Sequence, residues 1–363
     1  MATAPDARLS GRAGEPSPRV LVIRRDNIGD LVCTLPLLRA MRDAHPHAWI
    51  GVLANSYNAA LLERHPDVNE VFVYRKLKHR GGGGLLGLAA DRVRMIRALR
   101  ARRLDDVILA TPDYQPRTVQ LARWLGAERV IGFAPASPAP GLDVVVPLAA
   151  AERKHEVERV MLLGEAFGLK GGPMPARIYP DPREVMHIRA GLAARSRDIQ
   201  RPIVGVHISA RKPSQRWPAE RFAALMRELY EERGIGFVLF WAPGAADNPL
   251  HPGDDVKAQE VHTRLVGVPC LRWPTETLPG LIGALAECDH VICADGGAMH
   301  LAAALGKPIV ALFGKSDVQR WRPWGVPHEV LQAPSQEVND IPVERVAAAY
   351  EMLTTRLSLL AAG

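Results

Sequence analysis

A short polar stretch follows the apolar run His290–Ala294, and its residue types suit the binding of an anion or a sugar. The stretch holds Asp295, Gly296, Gly297 and, one helical turn later, His300. Two glycines let a ligand approach the backbone closely, and free amides at the start of a helix attract an anion. The same turn also fits a plain crossover, in which the aspartate caps the helix and the histidine belongs to the core.

A second candidate, Asn27-Ile28-Gly29-Asp30, follows the first apolar run of the chain. Gly29 permits a turn that a side chain would obstruct. Asp30 could cap the helix that follows, or its carboxylate could take a proton from a substrate hydroxyl as a general base. The residues alone leave both roles open.

A hydroxyl and several cations are concentrated in the segment 207–218, between another apolar run and a helix. The hydroxyl belongs to Ser209, and the cations belong to Arg211, Lys212 and Arg216. Cations at the end of a strand suit a diphosphate group, although a solvated basic loop would have the same composition.

The segment 240–255 holds two further candidates, Asp247 and Asn248, which could bond the hydroxyls of a ribose. Its Pro, Gly, Asp and Asn content equally fits a turn-rich loop that binds nothing. The residues do not decide between these interpretations.

Basic residues are crowded into the segment 75–103, which has ten Lys or Arg against one acid, Asp91. Such a run indicates a solvated helix face, or a surface for an anionic acceptor or an acidic membrane. On the second interpretation, Arg92, Arg94 and Arg97 are the predicted acceptor contacts.

Strand-like and helix-like patterns alternate along the chain, which predicts an α/β protein with mostly parallel sheets. We predict two Rossmann-like doubly wound domains, 19–175 and 176–340, which face each other across a cleft. Residues 1–18 are expected to form a disordered tail, and a last helix in 341–363 to be able to cross back onto the first domain. The polar candidates follow predicted strands, where ligands of such sheets bind.

One helix is expected from about residue 30 to residue 44. The second domain is expected to have four strands, at 203–208, 237–241, 290–294 and 308–313.

Composition narrows the class of protein. The formal net charge of +7 indicates an anionic partner without identifying it. The four cysteines have no paired CxxC spacing, so neither a zinc site nor a disulfide framework is expected. No apolar run suits a membrane span or a signal peptide, which predicts a cytoplasmic protein. No D-x-D pair exists to hold a metal–diphosphate complex, so cations and helix amides would have to stabilise a leaving diphosphate.

Three stretches resemble glycosyltransferase family 9, of the ADP-heptose:lipopolysaccharide heptosyltransferase type. They are RRDNIGDLVCTLPLLRAMRDAHP, SQRWPAERFAAL and ADGGAMHLAAALGKPIVALFG. The third is similar to the family's signature at most positions, and the resemblance covers nearly the whole chain from about Arg19. It implies a GT-B fold whose first domain takes the anionic inner core of lipopolysaccharide and whose second takes an ADP-sugar. It also implies inversion at the anomeric carbon without a metal.

The resemblance implies roles for individual residues. The family's catalytic aspartate corresponds to Asp30, its donor-loop hydroxyl to Ser209, and its sugar-contacting aspartate to Asp295. The ribose-binding acid corresponds only loosely to Asp247. The donor-binding residues are then Gly29, Ser209, Lys212, Arg216, Asp247, Asp295, Gly296, Gly297 and His300.

The sequence departs from the family pattern at two positions. Gln215 stands where the family has a lysine that meets the diphosphate, so Arg216 or Lys212 is expected to supply that charge. Gly296 stands where the family usually has threonine, which keeps a different donor sugar open.

Three alternatives follow from the remaining features. The chain could be a GT-B enzyme for another nucleotide sugar or a protein acceptor. It could be a nicotinamide-dependent oxidoreductase, if Gly82–Gly87 bound a dinucleotide. It could be a nucleic-acid-binding module, an alternative that only the basic charge supports. We predict the heptosyltransferase, as a monomer with no cofactor, no metal ligands and no nucleic acid, in peripheral contact with the cytoplasmic face of a membrane.

Overall fold

The computed structural model describes residues 17–74, 84–195, 199–248 and 252–362. The predicted tail, except for its last two residues, lies outside this part of the chain. So do the four cations of 75–80 and the first two glycines of Gly82–Gly87. The chain divides into two compact units, Met1–Ala176 (unit 1) and Arg177–Gly363 (unit 2).

Unit 1 contains a six-stranded sheet in which every neighbouring pair of strands is parallel. The strand order is β3-β2-β1-β4-β5-β6. The strands are β1 (Arg19–Ile23), β2 (Trp49–Asn55), β3 (Glu70–Tyr74), β4 (Asp106–Leu109), β5 (Arg129–Ala134) and β6 (Val144–Pro147). Helices on both faces of a parallel sheet bury its central strands, which explains why these strands are continuous apolar runs.

The described residues of unit 1 form five α-helices, of which the first four connect strands and the fifth follows β6. They are α1 (Ile28–Val32), α2 (Leu35–Ala44), α3 (Gly84–Ala101), α4 (Pro116–Leu125) and α5 (Glu156–Phe167). The expected single helix over 30–44 is wrong, because the chain breaks between α1 and α2 at Cys33 and Thr34. Pro36 has no N–H to continue the ladder of α1, and it lies in the first turn of α2, where that N–H is not needed.

Unit 2 has a second six-stranded parallel sheet with the order β12-β11-β10-β7-β8-β9. The strands are β7 (Ile203–His207), β8 (Gly236–Trp241), β9 (Cys270–Pro274), β10 (His290–Ala294), β11 (Ile309–Phe313) and β12 (His328–Gln332). The four central strands were expected, whereas the edge strands β9 and β12 were not. Both edge strands are partly exposed and carry polar residues, so they lack the apolar run of a central strand.

Unit 2 has seven α-helices among its described residues. They are α6 (Pro182–Ala193), α7 (Ala219–Arg233), α8 (Asp255–Arg264), α9 (Leu278–Ala286), α10 (Gly297–Ala304), α11 (Val318–Trp321) and α12 (Val343–Ala362). The buried face of α12, which includes Val346, Tyr350 and Leu353, joins the core of unit 2 together with Leu331 of β12. In the ranges that the structure describes, no helix is both long and apolar enough to span a bilayer.

Candidate functional site

Each sheet reverses its strand order once, between β1 and β4 in unit 1 and between β7 and β10 in unit 2. Loops that leave two such neighbouring strands diverge, and ligands of open α/β sheets bind in the resulting crevice. We call residues 24–30 and 110–115 the unit-1 crevice, and residues 208–216 and 295–297 the unit-2 crevice. Most of the predicted site residues lie in these two places.

Asp30 lies in the first turn of α1 and is 8% exposed. Its Oδ2 accepts hydrogen bonds from the backbone amide of Asn27 at 2.9 Å and from Asn27 Nδ2 at 3.0 Å. Asp30 therefore takes part in capping α1, as one of the two interpretations expected. The preceding residue, Gly29, is buried in the same turn.

The other oxygen of Asp30 faces a buried arginine. Arg24 Nη2 donates to Asp30 Oδ1 at 2.6 Å and to Glu156 Oε1 at 2.7 Å. Arg24 Nη1 donates to the carbonyl of Ala110, and Arg24 Nε lies 3.5 Å from Asp26 Oδ2. Burial opposes the Arg24 cation, but Glu156, Asp30 and Asp26 outweigh it, so the pKa of Arg24 lies above its ordinary value.

The same contacts keep Asp30 ionised. Burial alone would raise the pKa of the Asp30 carboxyl, but the Arg24 charge and the Asn27 donors outweigh burial and lower that pKa. A carboxylate has about four lone-pair sites, and Arg24 and Asn27 occupy three of them. Asp30 is thus a fixed, charged acceptor that can take one more donor, at Oδ1.

A cavity of about 540 Å³ opens at the unit-1 crevice. Arg25, which follows β1, and Thr111, which follows β4, both line it. The guanidinium carbons of Arg25 and Arg92 lie 4.5 Å and 4.9 Å from the centroid of the Tyr74 ring, within cation–π range. Arg92 Nη2 also donates to the Tyr74 hydroxyl at 2.8 Å, and Arg25 Nη2 donates to Thr118 Oγ1 at 2.7 Å.

The charge of this cavity is positive. Arg25, Arg92 and Arg117 line it, and Asp26 is its single acid among the described residues. No carboxylate of the described chain lies within 4 Å of the Arg25 or Arg92 guanidinium, in contrast to Arg24. The cavity therefore favours an anionic ligand.

The three predicted acceptor contacts differ in their positions. Arg92 lines the large cavity, whereas Arg94 lines a neighbouring cavity of about 310 Å³ and pairs with Asp91 at 3.2 Å. Arg97 is exposed and lines neither of these two cavities. Arg25 was not among the predicted site residues, although its place directly after the first predicted strand was an available signal.

In the unit-2 crevice, Asp295 is half-buried and bonded to Gln215. Gln215 Nε2 donates to Asp295 Oδ2 at 2.7 Å and to Ser316 Oγ at 3.0 Å, and the Gln215 side chain is buried. From the sequence, Gln215 was noted only because it stands where the family has a lysine. The structure makes it the group that orients the Asp295 carboxylate.

The glycine turn after Asp295 is open. Gly296 is exposed and has an extended backbone, and a Cβ atom added there would meet no atom within 4 Å. Gly297 begins α10. His300 is buried in α10, with its ring edge-to-face against Trp321 at 6.0 Å.

Hydrogen bonds near both ends of the loop after β7 hold that loop in place. Ser209 Oγ accepts a hydrogen bond from the Ala242 amide at 2.8 Å, and Arg216 Nε donates to the Ala210 carbonyl at 3.1 Å. Lys257 of α8 donates to the Ile208 carbonyl at 2.7 Å, and burial lowers the pKa of Lys257 to about 8. Lys212 is exposed.

Within segment 240–255, the buried acid is Asp254 and not the predicted Asp247. Asp247 is exposed, whereas Asp254 is buried beside the end of β8, and its amide donates to the Ala242 carbonyl. Asp254 Oδ2 has no hydrogen-bond partner among the described residues. The next acid, Asp255, is occupied, since it accepts from Trp241 Nε1 at 2.7 Å and from the Gly244 amide at 2.9 Å. The pair Asp254-Asp255 at the start of a predicted helix was the signal available in the sequence.

Comparison with known proteins adds a family and a fold. The family model of glycosyltransferase family 9 (heptosyltransferase) matches residues 92–348. Lipopolysaccharide heptosyltransferase 2 of Escherichia coli (strain K12) is 27% identical over 309 residues, which cover 82% of this chain and 83% of the relative.

Two solved structures are similar in fold. The glycosyl transferase family 9 protein from Veillonella parvula DSM 2008 has a TM-score of 0.77 at 22% identity, covering 93% of this chain and 97% of its own. The E. coli ADP-heptose lipopolysaccharide heptosyltransferase II has a TM-score of 0.72 at 23% identity, covering 94% and 99%. With the two parallel six-stranded sheets, these likenesses confirm the predicted two-domain α/β fold of the GT-B class.

Proposed function

The chain belongs to glycosyltransferase family 9 (heptosyltransferase), and from this premise we propose its donor, acceptor and mechanism. The donor is ADP-L-glycero-D-manno-heptose, and the acceptor is the inner core of lipopolysaccharide. The reaction inverts the anomeric carbon and needs no metal ion. The observation that carries the proposal is the Asp30 carboxylate, held ionised at the unit-1 crevice with one acceptor site left.

In this mechanism Asp30 is the general base. Its carboxylate takes the proton of an acceptor hydroxyl while that oxygen bonds to the anomeric carbon of the heptose. The bond from that carbon to the diphosphate breaks, and ADP leaves with the electron pair. A single displacement of this kind inverts the anomeric centre. A positioned base typically contributes about 10²- to 10⁴-fold to the rate.

The acceptor is assigned to the cavity of unit 1. Its three arginines and one acid favour an anion, and the guanidinium groups of Arg25 and Arg92 have no carboxylate partner within 4 Å among the described residues. Thr111 and Gln115 add groups that can bond sugar hydroxyls. The anionic inner core has both kinds of group.

The surface beside this cavity is assigned to a membrane. Arg94 and Arg97 of α3 are exposed, and Trp124 at the end of α4 is 56% exposed. Arginines attract anionic headgroups, and tryptophan favours the membrane interface. We therefore place the enzyme in the cytoplasm, as a monomer in peripheral contact with the membrane that carries its acceptor.

The donor is assigned to the unit-2 crevice. Asp295, oriented by Gln215, bonds the heptose hydroxyls. Lys212, Arg216 and the amides from Gly297 to Met299 meet the diphosphate, since cations and free helix amides both stabilise the leaving charge.

Several neighbouring residues complete the donor assignment. Asp247 is the proposed ribose ligand, because its side chain is exposed, whereas the unpartnered oxygen of Asp254 is buried and out of reach of a ligand. Ser209 and His300 hold the loops in place through Ala242 and Trp321. Gly29 leaves room beside the base.

A second candidate function is supported by Gly296. The space above this exposed glycine is open, so the donor site could take a nucleotide sugar with a different substituent there. The alternative remains a GT-B transferase and changes only the donor sugar or the acceptor.

Donor binding measured by calorimetry tests the proposal. We expect ADP-heptose and ADP to bind more tightly than UDP-sugars or NAD, with affinities unchanged by EDTA. Asp247→Asn should weaken ADP binding, and Asp43→Asn, at an exposed acid of α2, should leave it unchanged. Preferential binding of a UDP-sugar would discard the ADP-heptose assignment, and loss of binding in EDTA would discard the metal-independent mechanism.

A further inference from the structure

A single nitrogen of Arg24 serves two carboxylates. Its Nη2 lies 2.6 Å from Asp30 Oδ1 and 2.7 Å from Glu156 Oε1. Arg24 and Glu156 are both buried, so solvent cannot replace either contact. Nη2 carries two N–H groups, so each acid can accept one, but both acids share the same positive charge. The charge of Glu156 therefore offsets part of the attraction that Arg24 exerts on Asp30.

Glu156 is itself fixed from its other side. It lies in the first turn of α5, and its Oε2 is 3.4 Å from Arg159 Nε. Arg159 donates to the carbonyls of Ala151 at 2.7 Å and Pro112 at 3.1 Å. A chain of alternating charges therefore runs from Asp30 through Arg24 and Glu156 to Arg159.

The balance of charge in this cluster is informative. Three carboxylates, of Asp26, Asp30 and Glu156, meet the two guanidinium groups of Arg24 and Arg159. These five groups carry one more negative than positive charge. Without the charge of Glu156, Arg24 would act more strongly on Asp30, and the two would form a tighter ion pair. A base in such a pair attracts a proton less strongly.

We propose that Glu156 is a positioning residue for the reaction: by sharing Arg24, it lets the arginine orient Asp30 without cancelling the negative charge that Asp30 needs to accept a proton. The inference rests on the proposed function, in which Asp30 is the base. Glu156 does not touch the substrate in this scheme. Its effect on the reaction passes through Arg24.

The variant Glu156→Gln separates charge from shape. Glutamine keeps the size and the acceptor oxygen for Arg24 but removes the negative charge. Arg24 then faces one carboxylate fewer, and the pKa of Asp30 falls further below its ordinary value. We expect kcat to fall on the order of 3- to 10-fold, because a weaker base takes the proton less readily. The KM for the ADP-sugar should stay within about twofold, since the donor is assigned to unit 2.

The pH profile distinguishes this effect from a loosened fold. If Glu156 tunes Asp30 through charge, the variant has a lower plateau of kcat and no new acidic limb between pH 5 and about 7. If Glu156 only holds Arg24 in place, Asp30 loses its partner and burial raises its pKa. An acidic limb would then appear in that range and overturn the proposal. An unchanged kcat would also overturn it.

A second variant serves if Glu156→Gln does not fold. Asp26→Asn removes another carboxylate of the cluster, one whose side chain is partly exposed and 3.5 Å from Arg24 Nε. It should lower kcat in the same direction and by less. A rise in kcat would contradict the charge argument.

A double-mutant cycle keeps this inference apart from the role of Asp30. In the Asp30→Asn background, Glu156→Gln should cause no further loss of kcat, because its target is gone. If Asp30→Asn itself leaves kcat unchanged, the proposed base is wrong. If Asp30→Asn is impaired and Glu156→Gln lowers its kcat by the same factor as in the parent, only the positioning role fails.

Discussion

The two units repeat one sheet topology, yet their crevices hold different chemistry. In unit 1, a buried guanidinium and buried carboxylates are held in direct contact, as Arg24, Asp30 and Glu156 show. In unit 2, the neutral amide of Gln215 holds the carboxylate of Asp295, and the exposed Gly296 lies beside it. The position of a site thus follows from the topology, whereas its chemistry follows from which side chains the loops bury.

The difference between the crevices fits the two proposed roles, proton transfer in unit 1 and donor binding in unit 2. A carboxylate fixed by a cation and an amide stays ionised and correctly oriented, which proton transfer requires. A half-buried carboxylate held by an amide, with a glycine turn and a helix N-terminus beside it, leaves room for a ligand that brings its own negative charge. Variants that move charge into or out of either crevice test this contrast.

The largest expected effect comes from removing the base of the unit-1 crevice. Asp30→Asn keeps the shape and removes the charge, so kcat should fall by about 10²- to 10⁴-fold while ADP affinity stays nearly unchanged. Steady-state kinetics and calorimetry measure the two quantities. Asp43→Asn, at an exposed acid of α2 paired with Arg39, is the control and should be silent. Normal turnover in Asp30→Asn would remove proton transfer from unit 1.

Removing the central cation of that crevice should mainly lower stability. Arg24→Leu removes the buried cation that the carboxylates of Asp30 and Glu156 share, which should cost about 3–5 kcal/mol in the free energy of unfolding. Calorimetric unfolding measures the loss. The loss should shrink as the pH is lowered from 8 to 5, because a buried carboxylate that has lost its main cation has a raised pKa and becomes protonated.

The matched control for this prediction is an exposed ion pair of the same unit. Arg94→Gln breaks the contact between Arg94 and Asp91. Because the Arg94 side chain is mostly exposed, the free energy of unfolding should change by less than about 1 kcal/mol. Equal losses in the two variants would show that the buried network of Arg24 contributes no more than a surface pair.

The sequence could predict where the sites lie, for a physical reason. Central parallel strands are buried on both faces, so they are visible as apolar runs, and the polar residues that follow them mark the carboxyl edge of the sheet. Asp30, Ser209 and Asp295 were proposed in this way, and each lies in a segment that follows a central strand. The edge strands β9 and β12 escaped because their exposed residues break that pattern.

Contacts between distant parts of the chain could not be predicted in the same way. Arg24 and Glu156 are 132 residues apart, and Gln215 and Asp295 are 80 residues apart. No local pattern indicates that such residues meet, because their distance is set by how the loops pack. Gln215 is an example. From the sequence it was noted only because it stands where the family has a lysine, whereas in the structure it donates a hydrogen bond to Asp295.

A moderate effect is expected at the cavity of unit 1. Arg25→Gln removes a charge that has a hydroxyl and an aromatic ring as neighbours, so the acceptor KM should rise on the order of tenfold. The KM for the ADP-sugar should not change. With a soluble acceptor and no membrane in the assay, Arg97→Gln is the control, because Arg97 is exposed and lines neither of the two cavities beside α3. If Arg97→Gln raised the acceptor KM and Arg25→Gln did not, the acceptor would bind the outer face of α3 instead of the cavity.

The smallest effect is expected from giving the unit-2 crevice a cation like that of unit 1. Gln215→Lys would place an ammonium group beside Asp295 and near the proposed diphosphate. Part of its charge would be neutralised by Asp295, so ADP should bind only about threefold more tightly at low salt, and the gain should fade as salt screens it. Gln215→Met fills a similar volume without charge and should not strengthen binding. A large gain in ADP affinity that salt does not reduce would contradict this expectation. It would mean that the unit-2 crevice can bury a full ion pair as unit 1 does. The two crevices would then differ in which residues they hold and not in how well they shield charge from solvent.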